Sequence, residues 1–257
     1  MKTARLTGSR CVLAFAIVAL SAPLAQAWDE TEHVSRTIPF ESGGTLRLTT
    51  FSGRVTITAS DGHQVVVDAV RRASRDRLER IKLDIHSSGS TVYIDANHRE
   101  RSWWLDQMRD NVVETDLDIK VPRRTDLHVT TFSAPVTVEG IEGLHWVHGF
   151  SSRLRLAGVT GRVQAHTFSG DVEIGVKDWR DRQSIDVDTF SGHIELRVPD
   201  EARGHVTFNS FSGHLNSDLP LTLHSSGRRN LSADLGNGSD GPSLHFKTFS
   251  GSVKILR

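Results

Sequence analysis

Five carboxylates, Asp171, Glu173, Asp186, Asp188 and Glu195, are the side chains whose types and spacing most suggest chemistry in this 257-residue chain. Paired carboxylates can act as acid and base on a glycosidic bond, or hold Ca²⁺ through oxygen ligands. Glu173 and Glu195 stand at the same place in two successive copies of a repeat, and Arg155 stands there in the copy before. A solvated face balanced by Arg155 gives the same pattern without chemistry, so no catalytic residue is assigned. The histidines include His145-x-x-His148 and the dispersed His33, His193, His205, His214, His224 and His245. They sit at mixed repeat positions and no His-Glu-x-x-His run occurs, so neither a metal site nor a cofactor is expected. Gly236 to Gly241 has the spacing of a dinucleotide loop, but Pro242 leads on into a strand and not a helix. No Gly-x-Ser-x-Gly elbow is present, and the single cysteine, Cys11, falls in an export leader. Trp103-Trp104-Leu105 and Met108 lie among Arg99, Arg101 and Arg109. That mixture suits contact with a membrane interface, a glycan or a protein, although the usual burial of Trp favours a flap whose tryptophans pack on the fold.

These side chains must be positioned by a repeat. Phe51-Ser52, Phe132-Ser133, Phe150-Ser151, Phe168-Ser169, Phe190-Ser191, Phe211-Ser212 and Phe249-Ser250 are seven copies of one phrase, followed by glycine in five. With each Phe as position zero, positions −5, −3 and −1 are mostly apolar or Thr, as in Ile185, Val187 and Thr189. Positions +4 and +6 are apolar too, as in Ile194 and Leu196. Alternation of this kind marks half-buried strands. The odd step from −1 to +4 changes the inward parity, so a corner lies at Ser-Gly. Each unit is strand, corner, strand, turn.

The Phe residues from 132 to 211 are 18, 18, 22 and 21 positions apart, and 38 positions then separate Phe211 from Phe249. That last gap leaves room for a degenerate unit around Leu221–Leu223 and Leu231–Leu235. Units of this length without helical patterning predict an all-β parallel β-helix, a solenoid of stacked rungs. The Phe parity leaves two placements open. The rings point outward if the corner follows them and inward if it precedes them. Phe168, Phe190 and Phe211, with Trp103 and Trp104, are therefore the candidate binding residues.

Three segments follow. Residues 1–27 read as a signal peptide, with Lys2, Arg5 and Arg10 before an apolar run and Ala25-Gln26-Ala27 at the cut. Residues 28–125 hold the first repeat and an amino-terminal cap. Its strands are expected at Gln64–Ala69, Lys82–His86, Thr91–Ala96 and Glu114–Val121, with a short helix starting at Ser74. Residues 126–257 hold the solenoid repeats. The leader carries three basic and no acidic residues, so the mature chain has a net charge of −3. That balance argues against nucleic acid as a partner. No segment reaches the length of an integral membrane span.

Thr167-Phe168-Ser169-Gly170-Asp171-Val172-Glu173-Ile174 and Thr189-Phe190-Ser191-Gly192-His193-Ile194-Glu195-Leu196 resemble the units of the bacterial putative-adhesin family, exported β-solenoids of unknown function. Arg71 to Ile85 is similar to that family's helix and following strand, while the constant Phe departs from its pattern. The resemblance implies an envelope or secreted β-solenoid. The leader, the regular repeat surface and the lack of a convincing catalytic set lead to the expectation of a periplasmic or secreted, non-enzymatic protein with an adhesin-like binding or scaffolding surface. Its partner would be an envelope protein or a glycan. A carbohydrate-active enzyme using the carboxylates is the alternative.

Overall fold

The computed structural model describes residues 30–99, 112–179, 183–227, 229–236 and 241–257. The leader, and Trp103 and Trp104 within 100–111, lie outside the described residues. The chain opens with β1 (Glu30–Pro39), β2 (Thr45–Ser52), β3 (Val55–Ser60) and β4 (Gln64–Ala73), then helix α1 (Arg75–Arg80). Next come β5 (Ile81–Ser88), β6 (Thr91–Arg99) and β7 (Glu114–Pro122). The regular units are β8/β9 (Asp126–Ser133, Val136–Glu139), β10/β11 (His145–Gly149, Leu154–Val159), β12/β13 (Val163–Ser169, Val172–Val176) and β14/β15 (Ser184–Ser191, Ile194–Arg197). The chain continues with β16 (Gly204–Ser210), β17 (His214–Ser217), β18 (Leu221–Ser226) and β19 (Asn230–Leu235), and closes with β20 (Ser243–Ser250) and β21 (Ser252–Leu256). The fold is an all-β solenoid whose units pair in parallel and in register, as the alternation requires.

Stacking does not follow the sequence at either end. The Phe51 unit, β2/β3, pairs on one side with β8/β9 and on the other with β6/β7. The stretch that interrupts the repeat between Phe51 and Phe132 thus supplies a rung of its own. At the other end β20/β21 inserts between β14/β15 and β16/β17, so Phe249 and not Phe211 follows Phe190. The expected degenerate unit is not a rung. β19 runs antiparallel to β16, and β18 antiparallel to β19. Antiparallel strands close the first end as well, with β4 on β7, β1 on β4 and β5 on β6. Reversal lets a short loop add a strand to an open edge, which a parallel rung cannot do.

Helix α1 starts after Ser74, with Asp76 in its first turn, and Leu78 packs on Ala73, Ile81 and Val113. The buried Arg71 guanidinium ties this cap together by donating to Glu32 on β1 and to the Ile81 carbonyl. The main core is four columns of inward residues. One runs Leu48, Val129, Val147, Ala165 and Val187, and ends in the buried rings of Phe246 and Phe208. Its residues are buried, and each Leu, Val or Phe among them is worth roughly 1.5–3 kcal/mol of burial.

Candidate functional site

The Thr-Phe-Ser-Gly phrase makes the corner of each rung, and each residue has a separate task. The residue at −1 turns inward: Thr50, Thr131, Thr167, Thr189, Thr248 and Ser210 are buried. Thr131 shows what its hydroxyl does there, accepting from the Ala134 amide at 3.0 Å and donating to the Ala134 carbonyl at 3.2 Å. The glycine lies against the rung before it. A Cβ on Gly192 would sit 2.1 Å from the Gly170 carbonyl oxygen, and one on Gly251 would sit 2.0 Å from that of Gly192. Close backbone approach, more than turn conformation, is why glycine recurs here.

The corner turns Phe outward, which decides between the two placements left open by sequence. Phe51, Phe132, Phe150, Phe168, Phe190, Phe249 and Phe211 form one column in that order, with centroids 4.5–5.1 Å apart and planes within 12°. Each ring stays 38–52% exposed. The Arg229 guanidinium covers the last ring, 4.3 Å from the Phe211 centroid. Stacked pairs of this kind contribute about 1 kcal/mol each beyond burial. Their faces cover one another, so the column offers solvent a strip of ring edges.

Beside the strip runs a polar column at position −2, made of Thr130, His148, His166, Asp188, Lys247 and Asn209. Lys247 reaches Asp188 at 3.4 Å. With Phe168, Phe190, Phe249 and Phe211, the column from His148 to Asn209 lines a groove of about 650 Å³, which Arg229 and Asn230 also line. Of the candidate binding residues, the fold brings Phe168, Phe190 and Phe211 onto one face. At position −4 Trp146 packs beside His128, 5.9 Å between rings. His128 is held below its usual pKa, first by burial and then by Arg47.

The five carboxylates do not share a face. Asp186 and Asp188 lie on β14, beside the ladder, while Glu173 and Glu195 lie beyond the corner on β13 and β15. The parity change at each corner separates them. Glu173 and Glu195 are neighbours in register, as the repeat requires, yet each has its own arginine: Arg155 to Glu173 at 2.9 Å and Arg197 to Glu195 at 2.6 Å. Asp171 accepts from the His193 amide at 3.0 Å. Replacing Glu173 and Glu195 together by Gln is expected to change unfolding free energy by about 1 kcal/mol or less. Urea denaturation measures it. A melting shift with Ca²⁺ that this double variant loses would instead establish a carboxylate site.

His145 and His148, close in sequence, face opposite ways, the first buried and the second exposed. Two of the dispersed histidines do converge, on an aspartate that sequence reasoning missed: His205, His224 and Asp234 come together from β16, β18 and β19. No sequence signal marked their meeting, because the hairpin that joins them breaks the repeat. Among the described residues no helix is long and apolar enough to cross a membrane.

The fold has solved counterparts. A putative cell adhesion protein from Clostridium sporogenes superposes with a TM-score of 0.54 at 9% identity, over 88% of this chain and 99% of that one. A putative adhesin from Bacteroides fragilis (TM-score 0.38, 10% identity, 88% and 97% covered) and a putative lipid binding protein from Parabacteroides distasonis (0.37, 11%, 90% and 98%) are more distant. No curated protein matches the chain. The model of one protein family matches residues 147–256, the block from the Phe150 corner to the closing strand. Over that block the chain is similar to the Toastrack DUF4097 family.

Proposed function

We propose that this is an exported, non-enzymatic, adhesin-like protein of the cell envelope that holds a protein partner on the strip of phenylalanine edges. The observation that carries the reading is seven rings kept in one column at 38–52% exposure. An apolar surface this continuous is unusual on a protein with no partner. The same geometry favours a protein over a glycan. Sugars bind aromatic side chains through ring faces, and here the faces are taken up by the neighbouring rings. Ring edges carry partial positive charge and suit apolar side chains and carbonyl oxygens. His148, His166, Asp188 and Lys247 beside the strip supply the polar rim that such interfaces show. The description of the Clostridium protein as a putative cell adhesion protein agrees with this role.

The test pairs Phe168→Thr with Phe190→Thr. Thr suits a strand and removes the apolar edge, and circular dichroism checks that the variant folds. An envelope protein cross-linked by the natural chain should be captured at least tenfold less by the double variant. A glycan-array signal that the variant retains, without any such protein, would overturn the reading.

A further inference from the structure

We infer that His205, Asp234 and His224 form a binding site for a zinc-type divalent metal at the closed end of the solenoid. The three side chains come from three adjacent antiparallel strands. His205 on β16 and Asp234 on β19 are directly paired across the ladder. His224 reaches the same carboxylate through an irregularity, because the register of β18 on β19 shifts between Leu223 and Ser225 and leaves His224 as the extra residue. A bulge bends its strand and re-aims one side chain. Here it re-aims an imidazole onto the carboxylate of the neighbouring strand.

Ligand chemistry and spacing both fit. His205 Nδ1 lies 3.1 Å from Asp234 Oδ1, and His224 Nε2 lies 2.6 Å from Asp234 Oδ2. One donor atom from each residue falls within 4.8 Å of the other two. Bonds of about 2.0–2.1 Å to a tetrahedral ion put its ligands roughly 3.3 Å apart. Closing this cluster therefore needs only rotamer adjustment of two half-exposed imidazoles. Two nitrogens and one carboxylate oxygen are a donor set that suits zinc and leaves one tetrahedral position open. Calcium and magnesium, which prefer a shell of oxygens, are a poor match.

The surroundings also suit a ligand set. Ser232 Oγ lies 3.2 Å from His205 Nε2, where it can accept from that nitrogen and leave Nδ1 free for the ion. Asp234 is the least exposed of the three, at 13% against 42% and 51% for the imidazoles, so the fixed carboxylate anchors two adjustable arms. His205 has the outward parity of Thr207 and Asn209, so the site opens on the same face as the phenylalanine strip. An ion there would pin the edge strand β18 to β19 and β16, and would stabilise the end of the stack.

The experiment is thermal melting of the mature protein without an affinity tag, with Zn²⁺, Ca²⁺ or Mg²⁺ added to the metal-free sample. Zn²⁺ near a hundredfold excess over its dissociation constant should raise Tm by about 5 °C, and the other two should leave it unchanged. His224→Ala and Asp234→Asn should each abolish the shift, whereas His86→Ala, which breaks another exposed His–Asp pair, should keep it. Bound Co²⁺ should show the visible absorption of a tetrahedral site in the natural chain and lose it in both site variants. The absence of a zinc shift, or a shift that survives either site substitution, would overturn the proposal.

Discussion

Gly192→Ala should lower the unfolding free energy by about 3 kcal/mol or more, a large effect for a single methyl group. The new Cβ would sit 2.1 Å from the Gly170 carbonyl oxygen and 2.8 Å from its carbon. Relief requires moving one rung away from another, and the rungs are held by the in-register pairing of β12 with β14 and β13 with β15. The Gly170 amide also donates to the Ser191 carbonyl at 3.2 Å beside the clash. Gly62→Ala is the control. Its nearest neighbour would be the Gln64 side chain at 3.8 Å, so stability should change by about 0.5 kcal/mol or less. Urea denaturation at neutral pH compares the two. Equal stabilities would show that the corner glycines are replaceable and that the rungs are free to separate there.

Acid should weaken the fold through His145. This side chain takes a place in the inward column between Leu127 and Val163, and burial pushes its pKa down to about 4. Its Nε2 donates to the Thr160 carbonyl at 3.3 Å, which holds the neutral ring in place. The unfolded chain protonates this imidazole near pH 6.5 and the folded chain near 4. Between those values the unfolded state binds the extra proton, so stability is complete above about pH 6.5 and falls as the pH drops toward 4. The loss amounts to about 3 kcal/mol. His145→Leu, which continues the column in kind, should remove most of this slope while leaving stability at pH 7.5 within about 1.5 kcal/mol. Chemical denaturation at pH 7.5 and 4.5 measures both. An unchanged slope in His145→Leu would assign the acid sensitivity to other groups.

The local code was legible because it is written in two simple variables, parity and glycine. Alternation of apolar residues around Phe168 and Phe190 specified the strands, the corner and the in-register neighbours Glu173 and Glu195. What the sequence could not show was which rung lies beside which. Val92 and Ile94, or Phe246, fit the same inward columns as their counterparts, so any rung is an acceptable neighbour for any other on packing grounds. The antiparallel closures choose the order, and they act at a distance along the chain. The outward direction of the phenylalanines had the same origin: two parities were consistent, and only the buried Thr and Ser residues at −1 settle which side of the ring the corner takes. The meeting of His205, His224 and Asp234 was hidden for a related reason, since it depends on a hairpin and a one-residue irregularity.

The out-of-order rungs confine where the protein can change its length. From Phe132 to Phe190 sequence neighbours are spatial neighbours, so one whole unit of 18 or 22 residues could be duplicated or lost there while both closures stay intact. Beyond Phe190 the same event would have to pass through a place already filled by the final strands, with β20 lying between β14 and β16. Growth and shrinkage are therefore confined to the middle. Each event would extend or shorten the aromatic strip by one ring separation, 4.5–5.1 Å, and leave its chemistry unchanged. The fold behaves as a ruler with fixed end-stops and a variable number of graduations.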